Sequence, residues 1–334
     1  MGRPIFPMAA LGALLVVLHG TSAHALNAKS WVANAGNDGN DCSLAHPCAT
    51  FQRAHDQTSP GGEIGVLTPG DYGDYGVGTL GDPLQIAKSV SITNDGTGEA
   101  SILADQRFEG SAGIFINAGA GVVVNLRGLV VDGQGTGLAG IFFVQASALH
   151  IQNCVIRNFE AAGAWGIFFS HFGKSQLFVS DTIVFNNGNG RDSGGILVAI
   201  GDAGSTNRAV LDRVHLENNV HGLVIASATG LGQHVIVRDS VISGNAADGI
   251  AALAITGQGP AFAVVERSSI VNNRQSGILA DGPGATLLLS DSTVARNGVG
   301  ISTVNSGQLI SYGNNRINNN LGPDGAPTGL FSRR

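Results

Sequence analysis

The sequence predicts an all-β solenoid, a parallel β-helix with three short strands in each rung. Three observations carry this expectation. The phrase VIVRDSVISGNAADGI, Val235 to Ile250, returns in altered form at Leu149 to Ile167, Leu177 to Ile196, Ala209 to Leu223, Ala263 to Ile278 and Leu287 to Ile301. Its closing Gly-Ile or Gly-Leu pair puts an anchor at Ile114, Ile141, Ile167, Ile196, Leu223, Ile250, Ile278 and Ile301, with spacings of 27, 26, 29, 27, 27, 28 and 23 residues. Periods in the twenties mark solenoids. Each period is filled by short Ile- and Val-rich runs broken by Gly, Asn and Asp, which suit pleated strands. No repeat holds a helix-length apolar period, so a leucine-rich repeat fits less well.

The elements follow in chain order. Arg3, an apolar run from Ala9 to Leu18 and the small-residue ending Ala23-His24-Ala25 read as a cleavable signal peptide over 1–25. That run is shorter than the roughly 20 residues a bilayer span needs, and no other segment qualifies, so no membrane span is expected after cleavage. Residues 26–334 are expected to form one β-helix domain, with 26–62 as an N-terminal cap and 308–334 as a last partial rung and tail. Cys42 and Cys48 flank the loop DCSLAHPC; in an exported chain they are expected to form a disulfide, metal binding being the alternative. Cys154 lies inside a repeat and reads as a buried thiol. Between Pro47 and Thr58, Phe51, Ala54 and His55 fall at helical spacing, which predicts one short helix capping the open end of the first rung.

Composition agrees with turns rather than helices: Gly is 50 of 334 residues, about twice the usual share of roughly 7%. Charged residues are 13% and the net charge is -6. With no basic stripe, no nucleic-acid partner is expected.

The entry segment GNDGNDCSLAHPCATFQRAHDQTSPGGEIGVLTPGDYG, the repeats and the closing SYGNNRINNN resemble bacterial exported proteins with right-handed parallel β-helix repeats, within the broad pectin-lyase-like superfamily. The resemblance covers nearly all of the chain after the signal. It implies three sheets along the solenoid, aliphatic stacks inside and stacked Asn at a tight turn. Some superfamily members are polysaccharide lyases, hydrolases or epimerases and others have no demonstrated activity, so fold alone does not choose. The expectation is a secreted or periplasmic protein that engages polysaccharide, as a lyase- or epimerase-like enzyme. The alternative is a non-catalytic structural or adhesive protein.

With the anchor Ile pointing in, the next residue and the third one point out: Phe142 and Val144, Phe168 and Ser170, Leu197 and Ala199, Val224 and Ala226, Ala251 and Leu253, Leu279 and Asp281, Ser302 and Val304. That face is apolar with one carboxylate, and it is expected to mediate self-association or hold a partner. It lacks the acidic cluster of calcium lyases, since Ca²⁺ takes 6 to 8 oxygen ligands; no cofactor is expected. A turn ladder of Asn153, Asp181, Asp212, Asp239, Arg267 and Asp291 would stack Asp181, Asp212 and Asp239 about 4.8 Å apart, making those three candidates for a divalent cation such as calcium. Their other reading is as acceptors for turn N–H groups, with Arg213 and Arg238 neutralising part of the charge. Asn187, Asn218, Asn245, Asn273 and Asn297 read as a structural stack, and His215 as a core histidine in the column of Ile156, Val184, Ile242, Ile270 and Val294.

Catalytic candidates gather on the loops leaving the Gly-Ile strand: His171, Lys174, Asp202 and Arg208, with His234 beside them. Lys174 and Arg208 would hold the carboxylate of an acidic sugar. A histidine there would move a proton near neutral pH, oriented by Asp202. The opposite edge carries Arg191, Asp192, His221, Asp248 and Arg274.

Overall fold

The computed structural model describes residues 25–73, 83–104, 112–171, 173–200, 206–227, 232–257 and 259–331, and of His171 and Ile200 the backbone only. Nearly all of the expected signal lies outside the described residues. Among them are three parallel sheets of twelve, nine and ten strands and one short helix. One turn of the coil runs through Gly194–Ile200 of the nine-stranded sheet, Thr206–Asp212 of the twelve-stranded sheet and His215–Glu217 of the ten-stranded sheet, before His221–Ser227 begins the next. No helix of the described residues is long and apolar enough to cross a membrane.

The anchors set the register. Ile114, Ile141, Ile167, Ile196, Leu223, Ile250, Ile278 and Ile301 stand side by side across the nine-stranded sheet, all pointing inward and buried. The residues two further on also point in, and Phe143 stacks on Phe169 with ring centroids 4.5 Å apart. One apolar cluster therefore runs from Val32 to Leu309. The glycine before each anchor is required by space: a Cβ on Gly222 would meet the Gly249 carbonyl oxygen at 2.5 Å and the Asn245 amide nitrogen at 3.0 Å.

Two corners per turn are made by single residues in the left-handed region, which Asn and Asp enter most easily. At the corner from the twelve- to the ten-stranded sheet these are Asn153 (φ 52), Asp181 (φ 50), Arg213 (φ 53), Asp239 (φ 52), Arg267 (φ 46) and Asp291 (φ 49). Arg213, not Asp212, holds the corner: the expectation favoured the residue type that left-handed turns prefer, and the register overrides it. Asp212 lies one step earlier on the strand, beside Arg238. At the next corner Asn158, Asn186, Asn218, Asn272, Arg296 and Asn319 bend the chain. The buried stack is made by Asn187, Asn219, Asn245, Asn273 and Asn297, closed by the half-buried Asn320, so Asn219 replaces Asn218. From Asn187 to Asn297 each backbone N–H donates to the amide oxygen one turn on, as from Asn219 to Asn245 (2.9 Å) and from Asn273 to Asn297 (3.0 Å), and the Asn320 N–H donates to the Asp324 carboxylate.

The same rung moves His215 out of the core. Leu216 pairs with Val184 and Ile242, while His215 faces solvent with Nδ1 2.9 Å from the Glu217 carboxylate. A one-residue shift in 206–221 thus accounts for the corrections at Asp212, Asn218 and His215. A further column of hydroxyls lines the first corner, where Val214, Ser240 and Ser268 donate their N–H groups to Ser240, Ser268 and Ser292. Cys154 occupies the equivalent place, buried with its thiol near the Gln152 carbonyl; burial pushes that thiol up to about 11.

The helix forms at Phe51–Gln57, with the Thr50 hydroxyl accepting the Arg53 N–H at 3.1 Å. Its buried side chains are Phe51, Ala54 and His55, and Phe51 packs on Tyr72 with centroids 5.1 Å apart. The Cys42–Cys48 disulfide is present, and its loop is pinned to the first strand by Trp31 N–H to Cys42 O (2.8 Å) and Cys48 N–H to Trp31 O (2.9 Å).

Candidate functional site

Of the residues expected to act together on the loop edge, Asp202 and the side chain of His171 lie outside the described residues. His171 ends the strand Trp165–His171 and Lys174 begins Lys174–Ser180. Arg208 stands between Gln176 and His234 on the outer face of the twelve-stranded sheet, and His234 is followed there by Phe262, ring centroids 5.7 Å apart. Lys174, Arg208 and His234 are exposed.

The carboxylates proposed for a cation are already engaged. Arg213 grips Asp181 through Nε (2.6 Å) and a terminal nitrogen (2.9 Å) and also bonds Asp212, which takes Arg238 Nε at 3.0 Å. Arg267 holds Asp239 in the same bidentate way, at 2.8 and 2.9 Å. These arginines hold the Asp181 and Asp239 carboxyls below the usual range. Along the corner the charge therefore alternates, Asp181, Arg213, Asp239, Arg267, Asp291, which removes the repulsion that an all-aspartate stack would carry. The three carboxylates do not fit a calcium site, because guanidinium groups occupy the oxygens a cation would need. Among the described residues no group of three or more His, Cys, Asp or Glu is placed to hold a metal.

The nine-stranded sheet carries a cleft on its outer face, about 920 Å³ in volume. Its floor is the outward column Phe168, Leu197, Val224, Ala251 and Leu279, which register places on five successive strands. The inward-outward phase is therefore as the anchors imply, but the face is not bare. Trp165 packs with Val224 and Ala251 in a second small core, leaving Val224 6% and Ala251 1% exposed. Phe142 meets Phe168 edge-on at 4.9 Å and Phe115 at 5.6 Å, extending the aromatic floor.

One rim is the edge that sequence placed second. Arg191 and Asp192 reach it from the connection before Gly194–Ile200, joined by His221, Asp248 and Gln275. His221 ties three turns together. Its Nε2 lies 3.0 Å from the Arg191 carbonyl oxygen and so carries the hydrogen, while Nδ1 faces the Asp248 N–H at 3.4 Å and its carboxylate at 3.6 Å. The other Asp248 oxygen accepts the Ser276 N–H at 2.8 Å. Asp281, at the far end, is held by the Asn305 amide at 2.8 Å. Trp165 escaped the sequence reading because it precedes the anchor by two residues, a place where other rungs carry Ala, Gly, His, Asp, Ser or Val. The aromatic in AWGI was the available signal. An apolar floor with a few convergent polar groups is the usual composition of a ligand site.

Comparison with known proteins gives the class. A family model described as "Right handed beta helix region" matches residues 195–325. A search of the curated proteins found no match. Among solved structures, the chain is similar to pectate lyase Pel9A at 17% identity, covering 91% of this chain and 78% of that one with a TM-score of 0.66. It is also similar to a rhamnogalacturonan lyase (12% identity, 88% and 87% covered, TM-score 0.38) and to the A-module of the mannuronan C-5 epimerase AlgE6 of Azotobacter vinelandii (14% identity, 81% and 89%, 0.35). At such identities the likeness is one of fold. The chain has a right-handed parallel β-helix fold.

Proposed function

We propose that the protein engages a carbohydrate chain in the cleft on the nine-stranded sheet, acting outside the cytoplasm after removal of the signal at 1–25. The observation that carries this reading is the floor from Phe168 to Leu279, covered at one end by Trp165 and bordered by His221, Asp192 and Gln275. Aromatic and aliphatic side chains suit the C–H faces of sugar rings, and polar groups on a rim suit hydroxyls. The pectate lyase likeness agrees with a carbohydrate ligand. Export agrees with the disulfide, which persists in oxidising compartments. A mature N-terminus at Leu26 by mass spectrometry checks it.

Binding without cleavage is favoured by one feature: both ring nitrogens of His221 are occupied by protein groups, leaving neither free to take a substrate proton. A lyase- or epimerase-like reaction would instead draw on the edge with His171, Lys174, Asp202 and Arg208. The test is a glycan array with the wild type, Trp165→Ala, and the double variant Lys174→Ala/Arg208→Ala, followed by a screen of every binder for new unsaturated ends. Binding lost with Trp165→Ala and kept in the double variant is the expected result. The reverse pattern moves the site to the loop edge, and a wild type that binds no glycan but dimerises by light scattering makes the face a self-association surface.

A further inference from the structure

The cleft's own charges specify the class of glycan, an inference that rests on the reading just given. Its lining holds one fixed cation, Arg191, and three carboxylic residues, Asp192, Asp248 and Asp281. Among the described residues none of these carboxylates is paired with a guanidinium or ammonium group in the way that Asp181, Asp212 and Asp239 are. Asp248 is 4% exposed and satisfied by the Ser276 N–H, and the Asn305 amide donates to Asp281; both partners are neutral. His221 faces Asp248 through Nδ1, 3.4 Å from its N–H and 3.6 Å from its carboxylate, and leaves Asp192 and Asp281 without a cationic partner among the described residues.

A chain of uronates would bring one carboxylate per sugar into this space. Recognition of carboxylates relies on the planar Arg fork or the Lys ammonium charge, and a cleft with an excess of one sign of charge disfavours ligands of that sign. Uncharged sugars meet no such penalty. Their hydroxyls can donate to Asp192 and Asp281 and exchange hydrogen bonds with Gln275, while ring faces lie on Phe168, Leu197 and Leu279, beneath which Trp165 (4% exposed) is packed. The floor spans five strands, so at about 4.8 Å per step it is about 19 Å long, the reach of about four pyranose units laid along the solenoid axis. We infer that the cleft takes a neutral, hydroxyl-rich glycan about four sugars long, not a polyuronate.

The experiment is titration calorimetry at low salt with EDTA present, using four neutral tetrasaccharides (cello-, xylo-, manno- and galacto-linked) and tetragalacturonate. The expected result is binding of at least one neutral tetrasaccharide at least about tenfold tighter than tetragalacturonate, with affinity reaching a plateau near four units. Asp192→Lys and Asp281→Lys should narrow that ratio. Because Trp165→Ala removes part of a packed cluster, these two rim variants carry the test if it does not fold. Tetragalacturonate bound as tightly as the best neutral sugar, in a manner lost with Trp165→Ala or strengthened by the lysine variants, overturns the inference and leaves a carbohydrate cleft standing. No binding of any of the five overturns both.

Discussion

Arg213 and Arg267 hold left-handed corners at φ 53 and φ 46, a conformation unfavourable for a long side chain. Their bidentate grips on Asp181 and Asp239 offset that strain and set the sign alternation of the corner. Arg213→Asn keeps a residue at ease in the turn but removes the pairing. The wild type should lose urea resistance between low salt and 1 M NaCl, in line with screening of exposed charges, and the variant should lose less. Asp132 supplies a pH dependence. Burial alone would raise its carboxyl, but the Gln134 N–H, the Arg157 guanidinium (2.7 Å) and the Asn158 amide (3.0 Å) outweigh burial and hold it below its ordinary value. A lowered folded-state value means this stabilisation is complete above the unfolded value of about 3.9 and fades as pH falls through the folded one. Asp132→Asn should flatten the fall of the urea midpoint below about pH 4; an unchanged slope would count against the assignment. At this scale the sequence misled where preference and register disagree. Asp212 looks like a corner residue because aspartate favours such turns, and only pairing with Arg238 shows it one step away.

At the scale of elements, the Gly-Ile junctions were legible because each glycine touches the next turn's backbone. Gly222→Ala forces its Cβ onto the Gly249 carbonyl oxygen and should cost about 1–3 kcal/mol by overpacking, read from chemical unfolding. Asn245→Ala deletes an amide that bonds the Asn219 N–H, the Asn273 oxygen and the Leu216 carbonyl. Stranding those buried groups should cost about 2–4 kcal/mol, several times a surface change. The stacked strands and the outward apolar column could be counted from the anchors. The cleft could not, since Trp165, His221 and Asp248 share a place two residues before the anchor but no residue type, and Arg191 and Asp192 lie further back in the connection before Ile196.

At the scale of the molecule, a solenoid is stable through contacts between neighbouring turns and is exposed at its ends. Phe51, fully buried beneath Tyr72, plugs the first turn. Phe51→Asp should open that end and produce aggregates by light scattering at concentrations where the wild type stays dispersed; a monodisperse, fully folded variant would mean the helix is dispensable. The buried asparagines give the coil another whole-length property. From Phe159, whose N–H points to Asn187, each donor points toward the C-terminal end, through Asn219, Asn245, Asn273 and Asn297 to Asn320. The stack is thus a macroscopic dipole built from residues 23 to 32 positions apart, the solenoid's counterpart of an α-helix axis. Its positive pole ends on a carboxylate: Asp324 accepts both the side-chain amide (2.8 Å) and the N–H (3.1 Å) of Asn320, which lower its pKa in that order. A single surface anion thereby terminates a polarisation that begins six turns away.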